Sequence, residues 1–308
     1  MAKISLRKRI ERGVFLLDGA MGTQLFARGV EVGTCTDYLN VQSPDVVCEV
    51  HRAYLDAGSD AVLTNTFGAN RYALGRHGLG GEVAAINRAG AEAARRAAGK
   101  EKCVLGDIGP SGDFLEPLGA LKADDLEEAF AVQARALVAG GVDGLIVETM
   151  TALDEVRIAI EAAKSVARNL PVFASMSFDK VGDGFKTMMG VDVESAVAKM
   201  LAAGADAVGF NCGTATLDEY VELAANFVSA VEALEKTRLT SHGSLVTIFA
   251  EPNAGKPELI DGKAVYRVTP EEFAAAAEKI HAAGITIIGG CCGTTPQHIA
   301  AAARALRS

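Results

Sequence analysis

Short apolar runs alternate along the chain with alanine-rich segments whose apolar positions recur at helical spacing. The runs predict strands over 14–17, 61–64, 103–108, 144–147, 172–177, 207–210, 245–250 and 285–288. Between them the pattern predicts helices. Ser43-Pro44 opens one that carries Val46, Val47, Val50, Tyr54 and Leu55 on one face and stops at Gly58. Others are predicted over 81–98, 124–139 with Asp124 as cap, 153–167, 193–203 and 217–234. Thr269-Pro270-Glu271-Glu272 starts a further helix ending at Gly284, and Thr295-Pro296 starts the last. The stretches 237–244 and 256–267 read as exposed loops.

Eight strand–helix units follow one another in a single register. Their strands are continuous apolar runs, as expected of strands buried on both faces in a parallel sheet. A single-domain (β/α)8 TIM barrel over 1–308 is the architecture this predicts. A doubly wound open sheet is the rival, but Asp18-Gly19-Ala20-Met21-Gly22 lacks the GxGxxG spacing such sheets carry after their first strand.

Composition changes this picture little. The 308 residues are 49% hydrophobic and 22% charged, a globular balance. The net charge of −9 argues against nucleic acid or an anionic membrane as partner. There is no signal-peptide pattern and no apolar run approaching ~18 residues, so a cytoplasmic protein with no membrane span is expected. Six cysteines in a chain this long are not a disulfide scaffold and suit a reducing compartment. Cys48 and Cys103 read as packing residues, on a helix and a strand respectively. Arg7-Lys8-Arg9 reads as the solvated part of an N-terminal helix.

The chemistry gathers where strands stop. Asp18, Asn65 with Thr66, Asp107, Glu148, Asn211 with Cys212, Glu251 with Asn253, and Cys291 with Cys292 all follow apolar runs. In a barrel these points converge on the C-terminal face, where active sites are built. Each taken alone could be a turn former. Adjacent Cys291 and Cys292 bond each other only with strain, yet they can present two thiolates to one metal ion. Cys212 ends another strand and supplies a third. Three thiolates suit Zn2+ and leave a fourth position open, the arrangement of a catalytic site. An open position on a thiolate-rich ion suits a substrate thiol better than water. If that thiol belongs to an amino acid, Asp18 and Glu148 are candidates for its ammonium. The N–H groups of Gly19 and Ala20 are candidates for its carboxylate. Two other classes remain open on this reading: a zinc or thiol sensor without turnover, and a cysteine-nucleophile lyase or hydrolase. The second needs a histidine beside a cysteine, and none of the five histidines falls in a strand-end motif.

Five stretches carry a resemblance: Leu17-Asp18-Gly19-Ala20-Met21-Gly22-Thr23, Thr64-Asn65-Thr66-Phe67-Gly68-Ala69-Asn70, Val147-Glu148-Thr149-Met150, Gly209-Phe210-Asn211-Cys212-Gly213 and Gly289-Gly290-Cys291-Cys292-Gly293-Thr294-Thr295-Pro296. Spread in order over nearly the whole chain, they resemble the homocysteine S-methyltransferase family. The resemblance implies a (β/α)8 barrel that methylates L-homocysteine to L-methionine. It implies Cys212, Cys291 and Cys292 as zinc ligands, with Asp18 and Glu148 on the substrate ammonium and the Gly19–Ala20 turn on its carboxylate. Asn211 has the family's identity too. The Thr64-Asn65-Thr66-Phe67 stretch looks more like the homocysteine-binding domain of cobalamin-dependent methionine synthases than like the betaine or S-methylmethionine enzymes. Such synthases carry folate, cobalamin and reactivation domains after this barrel. No Asp-x-His-x-x-Gly cobalamin motif occurs here, so cobalamin would arrive on a separate corrinoid protein or domain. The alternative is a stand-alone enzyme using betaine, S-methylmethionine or another small methyl donor.

Overall fold

Eight parallel strands make up the central sheet of the computed structural model, which describes residues 5–237, 246–260 and 263–307. They are Phe15–Leu16 (β1), Ala61–Leu63 (β2), Cys103–Ile108 (β3), Gly144–Met150 (β4), Val172–Met176 (β5), Ala207–Asn211 (β6), Thr247–Glu251 (β7) and Ile287–Ile288 (β8). Their order is β1-β8-β7-β6-β5-β4-β3-β2, so β8 pairs with both β1 and β7. The remaining seam, between β1 and β2, is bridged at both ends. Below, Asp60 N–H donates to Leu16 O at 2.7 Å and its carboxylate accepts Leu16 N–H at 2.9 Å. Above, the two oxygens of Asp18 accept Leu63 N–H at 3.2 and 3.1 Å. The barrel is thereby nearly closed, as predicted.

Side chains alternate across each strand, and the interior shows it. Phe15, Leu17, Ala61, Cys103, Leu105, Ile146, Phe173, Ala207, Phe249 and Ile287 form one buried interior cluster. Leu6, from the N-terminal helix Leu6–Ile10, belongs to the same cluster and plugs the lower end. The intervening residues, such as Leu16, Val62, Val104, Leu145 and Val208, face the helices and share their core. Gly209 is required inside: a Cβ there would lie 2.3 Å from Phe249 O.

Helices Pro44–Asp56, Val83–Ala98, Ala123–Ala139, Leu153–Val166, Val193–Ala202, Leu217–Thr237, Pro270–Ala282 and Pro296–Leu306 complete the eight units. The capping box at Thr269 and Glu272 is present. Asp124 is not a cap. Lys122 occupies that place, and Asp124 with Asp125 sits in the first turn, where the helix dipole favours acids. The stretch 256–267 is not wholly loop, since it holds a hairpin of Glu258–Ile260 and Lys263–Val265. A second small hairpin joins Asp179–Val181 to Gly184–Lys186. Of the loop expected over 237–244, Thr237 instead ends the helix Leu217–Thr237, while 238–244 and the expected start of the seventh strand at Leu245 lie outside the described residues.

Candidate active site

Stepping two residues up each strand from the interior cluster changes its chemistry. Leu105 leads to Asp107, Ile146 to Glu148, Phe173 to Ser175, and Phe249 to Glu251. Gly209 leads to Asn211, and Gly289 to Cys291. The period of two points all of them inward, above the apolar plug. Asp107, Glu148, Glu251 and Cys291 border a cavity of about 520 Å³ whose lining also includes Asp18, Cys212 and Cys292.

The thiols come together through loop geometry. Asn211 pairs in register with Glu251, and Cys212 follows with φ 56°. Among the described residues only Thr149, at φ 60°, is another non-glycine in the left-handed region. Such backbone costs of order 1–3 kcal/mol and persists where surroundings hold it. Here Tyr220 OH donates to Cys212 O at 2.7 Å, and Asn253 Nδ2 donates to Gly213 O at 2.6 Å. The loop after β8 is laid on the loop after β7: Cys291 N–H donates to Pro252 O at 2.9 Å and Ala254 N–H to Cys292 O at 3.0 Å. Gly293, at φ 78°, lies under Tyr266, whose Cγ would be 2.1 Å from a Cβ there.

The Sγ atoms of Cys212, Cys291 and Cys292 lie within 4.8 Å of one another. Cys212 and Cys292 are 3.9 Å apart, Cys291 and Cys292 4.0 Å. Tetrahedral zinc with bonds of about 2.3 Å requires sulfurs about 3.8 Å apart, so the thiols fit that ion. Their charges point the same way. Hydrogen bonds from Cys212 and then Cys291 pull the Cys292 thiol down to about 3, while contacts with Cys212 and then Cys292 push Cys291 well above the ordinary range. Without a cation one thiolate forms at the expense of its neighbours; a divalent ion would let all three ionise.

Asn211 joins this cluster to the carboxylates. Its Nδ2 donates to Glu148 Oε2, to Thr149 Oγ1 at 2.6 Å and to Cys291 Sγ at 3.8 Å. Its Oδ1 accepts Thr149 N–H at 2.9 Å and Ser175 OH at 2.8 Å. Burial pushes Glu148 up to about 7, against hydrogen bonds with Asp107, Thr149 and Asn211 that lower it. Burial also raises Asp18 well above the carboxylate range, opposed by the Leu63 N–H. At the turn after β1, Ala20 N–H donates to Thr294 Oγ1 at 3.1 Å, and Thr294 OH donates to Cys291 O at 2.6 Å. Tyr54 OH donates to Ala20 O at 2.9 Å. Gly19 and Ala20 line the cavity.

All eight residues singled out by sequence, Asp18, Gly19, Ala20, Glu148, Asn211, Cys212, Cys291 and Cys292, therefore lie at one end of the barrel. Sequence reasoning missed Thr149, Ser175, Thr294, Tyr54 and Tyr220. Thr149 and Thr294 lie inside recognised motifs. Tyr54 and Tyr220 reach the site from helices, and no strand-end signal marks them.

A family model described as homocysteine S-methyltransferase matches residues 15–306. The methionine synthase of Mycobacterium tuberculosis is 33% identical over 316 residues, covering 96% of this chain and 25% of that protein. That of Mycobacterium leprae is 32% identical over 320 residues, covering 98% and 25%. The chain thus spans about a quarter of the length of these curated relatives. Among solved structures, the homocysteine methyltransferase MmuM from Escherichia coli in its metallated form matches with a TM-score of 0.74 and 25% identity, over 98% of this chain and 99% of that one.

Proposed function

The chain belongs to the homocysteine S-methyltransferase family, and on that premise we propose that this methyltransferase methylates the thiol of L-homocysteine, giving L-methionine. The observation that carries the proposal is the group of three thiols within 4.8 Å, on the wall of a cavity that also holds buried carboxylates. Cys212, Cys291 and Cys292 would hold zinc, in keeping with the metallated form of the E. coli relative. Bound zinc supplies the positive charge that keeps a thiol deprotonated near neutral pH. The chain's own residues do the rest. Glu148 and Asp18 supply negative charge for the substrate ammonium, and the Gly19–Ala20 turn receives its carboxylate, which competes with Thr294 Oγ1 for the Ala20 N–H. Asn211 fixes Glu148 relative to Cys291, and so sets the separation of ammonium and thiol. No histidine base is needed, because the thiol is already ionised when the methyl group arrives.

The donor is a methylcorrinoid carried on a separate protein or domain, a reading supported by the methionine synthase relatives. Phe26 and Phe67 line the cavity and are 37% and 41% exposed, and this apolar mouth supports a bulky donor. The E. coli match, running over 99% of that chain, favours a second reading with a small methyl donor. The net charge of −9 speaks against nucleic acid as partner, and no described helix is long and apolar enough to cross a membrane. Thiols that must stay reduced suit the cytoplasm. Methionine formation from homocysteine should be assayed with methylcorrinoid protein, methylfolate, betaine and S-methylmethionine in parallel. Turnover with the first alone supports the corrinoid reading. Turnover with betaine or S-methylmethionine replaces it with the second, and no turnover with any donor refutes the function.

A further inference from the structure

Three carboxylates in the cavity, Asp37, Asp107 and Glu251, have no role in the reaction described so far, and Asp37 already accepts Gly68 N–H at 2.9 Å. Asp107, at the top of β3, is 5% exposed, and Glu251, at the end of β7, is 2% exposed. Both line the cavity. Asp107 Oδ1 and Glu251 Oε2 are buried without a hydrogen-bond partner. A buried acceptor left unpaired costs free energy, so two in one cavity point to a donor that arrives from outside. Neither is a turn former: each stands two residues above an inward apolar side chain, Leu105 or Phe249, and so faces the barrel axis.

The other carboxylates are largely engaged. Both oxygens of Asp18 accept Leu63 N–H and close the β1–β2 seam. Glu148 Oε2 accepts from Asn211 and, at 3.3 Å, from Thr149 OH. Unpaired in the cavity are one oxygen each of Asp107 and Glu251, and Asp107 stands beside Glu148, with which it shares a hydrogen bond. A neutral donor cannot neutralise such a group of like-signed acceptors. A primary ammonium can, because it presents three N–H groups and a positive charge. The three-thiol group lies at the ends of β6 and β8, flanking Glu251 on β7, so one short molecule can reach both.

We propose that Asp107 and Glu251, together with Glu148, form the cage that receives the ammonium of the substrate and make the enzyme selective for α-amino thiols over simple alkyl thiols. The proposal rests on the methyl-transfer reading above and adds two residues to it. Asp18 contributes charge at a distance and holds the seam. Asp107 and Glu251 touch the substrate nitrogen, not the reacting sulfur, so their loss weakens binding without disturbing the thiol site.

The test compares L-homocysteine with 4-mercaptobutyrate, which keeps the thiol and carboxylate and lacks the amino group. Binding of each to the zinc-loaded full chain is measured by calorimetry for wild type, Asp107→Asn and Glu251→Gln, with zinc content and thermal melting as controls. The wild type should prefer homocysteine. Each variant should lose at least tenfold of that preference, with 4-mercaptobutyrate affinity and zinc content unchanged. In turnover the homocysteine KM should rise by a similar factor with little change in kcat. Should Asp107→Asn fail to fold, Glu251→Gln decides alone. Folded variants that keep the full preference would overturn the cage. A wild type that binds both thiols equally would also overturn it, while leaving methyl transfer intact. A zinc-loaded wild type that binds neither thiol would overturn the methyl-transfer reading, and the cage with it.

Discussion

At the scale of single residues, Asn211 has the most demanding position. One amide holds Glu148, Thr149, Ser175 and Cys291 at once. Its Oδ1 also accepts the N–H of Thr149, which sits in left-handed backbone. Asn211→Ala leaves that N–H unpaired and Glu148 Oε2 with only the longer bond from Thr149 OH, and should cost about 1–3 kcal/mol in urea unfolding. A change within about 0.5 kcal/mol would mean that the network carries little of the local order. The thiols make a separate prediction. Replacing Cys291 with alanine leaves two sulfurs where the site needs three, so zinc content should fall from about one per chain to near zero. Full zinc content in Cys291→Ala, by metal analysis, would remove the thiol cluster as the zinc site.

At the scale of elements, the seam between β1 and β2 is the weak point of the barrel, and Asp18 is its upper clasp. Because its carboxylate replaces a ladder hydrogen bond, Asp18→Ala should destabilise the protein by about 1–3 kcal/mol. The amide exchange of Leu63 should quicken in the same variant. Asp18→Asn keeps one acceptor and should do less. Equal protection of Leu63 in wild type and Asp18→Ala would show that the seam holds without the carboxylate. This role was not legible in the sequence, where Asp18 reads as a turn residue or an ammonium partner. The strands themselves were legible, because a strand buried on both faces must be an apolar run, and β3 matches its predicted bounds of 103–108. Their ends were less so. β4 continues to Met150, and β8 holds only Ile287 and Ile288, since pairing with a neighbour, not apolarity, decides where a strand stops. The hairpin at Glu258–Ile260 escaped notice because three exposed residues carry no alternation to read. Asp107 and Glu251 were visible as strand-end acids. Their inward direction followed from the two-residue step only once Leu105 and Phe249 were known to face the axis.

At the scale of the whole molecule, the barrel keeps an apolar lower half and an acidic upper half, and this gives its stability a pH dependence of definite sign. Burial raises Asp37 to about 6 and Glu148 to about 7, and raises Asp18, Asp107 and Glu251 well above their ordinary values. The folded chain therefore holds protons that the unfolded chain has released, and stability falls as pH rises through the folded values. His51 acts in the opposite sense. Buried without a partner, it is pushed down to about 3, so between there and about 6.5 the unfolded chain binds the extra proton. The two effects oppose each other below pH about 6.5. Above it the raised carboxylates are opposed by Cys292, whose thiol is held down to about 3 and whose proton the unfolded chain still binds, and they outnumber it. Asp206 is half-buried, and although burial raises it, bonds with Val172, Lys164 and Arg7 together lower it, so it loses its contribution only under acid conditions. Chelator-treated protein should keep its secondary structure, because the interior cluster is complete without the thiol rim. In that state its unfolding free energy should decline from pH 6.5 to 8. Glu148→Gln, which cannot ionise, should flatten part of the decline. His51→Gln should leave the slope above pH 6.5 unchanged and alter it only below. A stability that rises between pH 6.5 and 8 in the metal-free protein would show that the upper half of the barrel already holds its carboxylates ionised, with charge compensated by groups other than a bound ammonium.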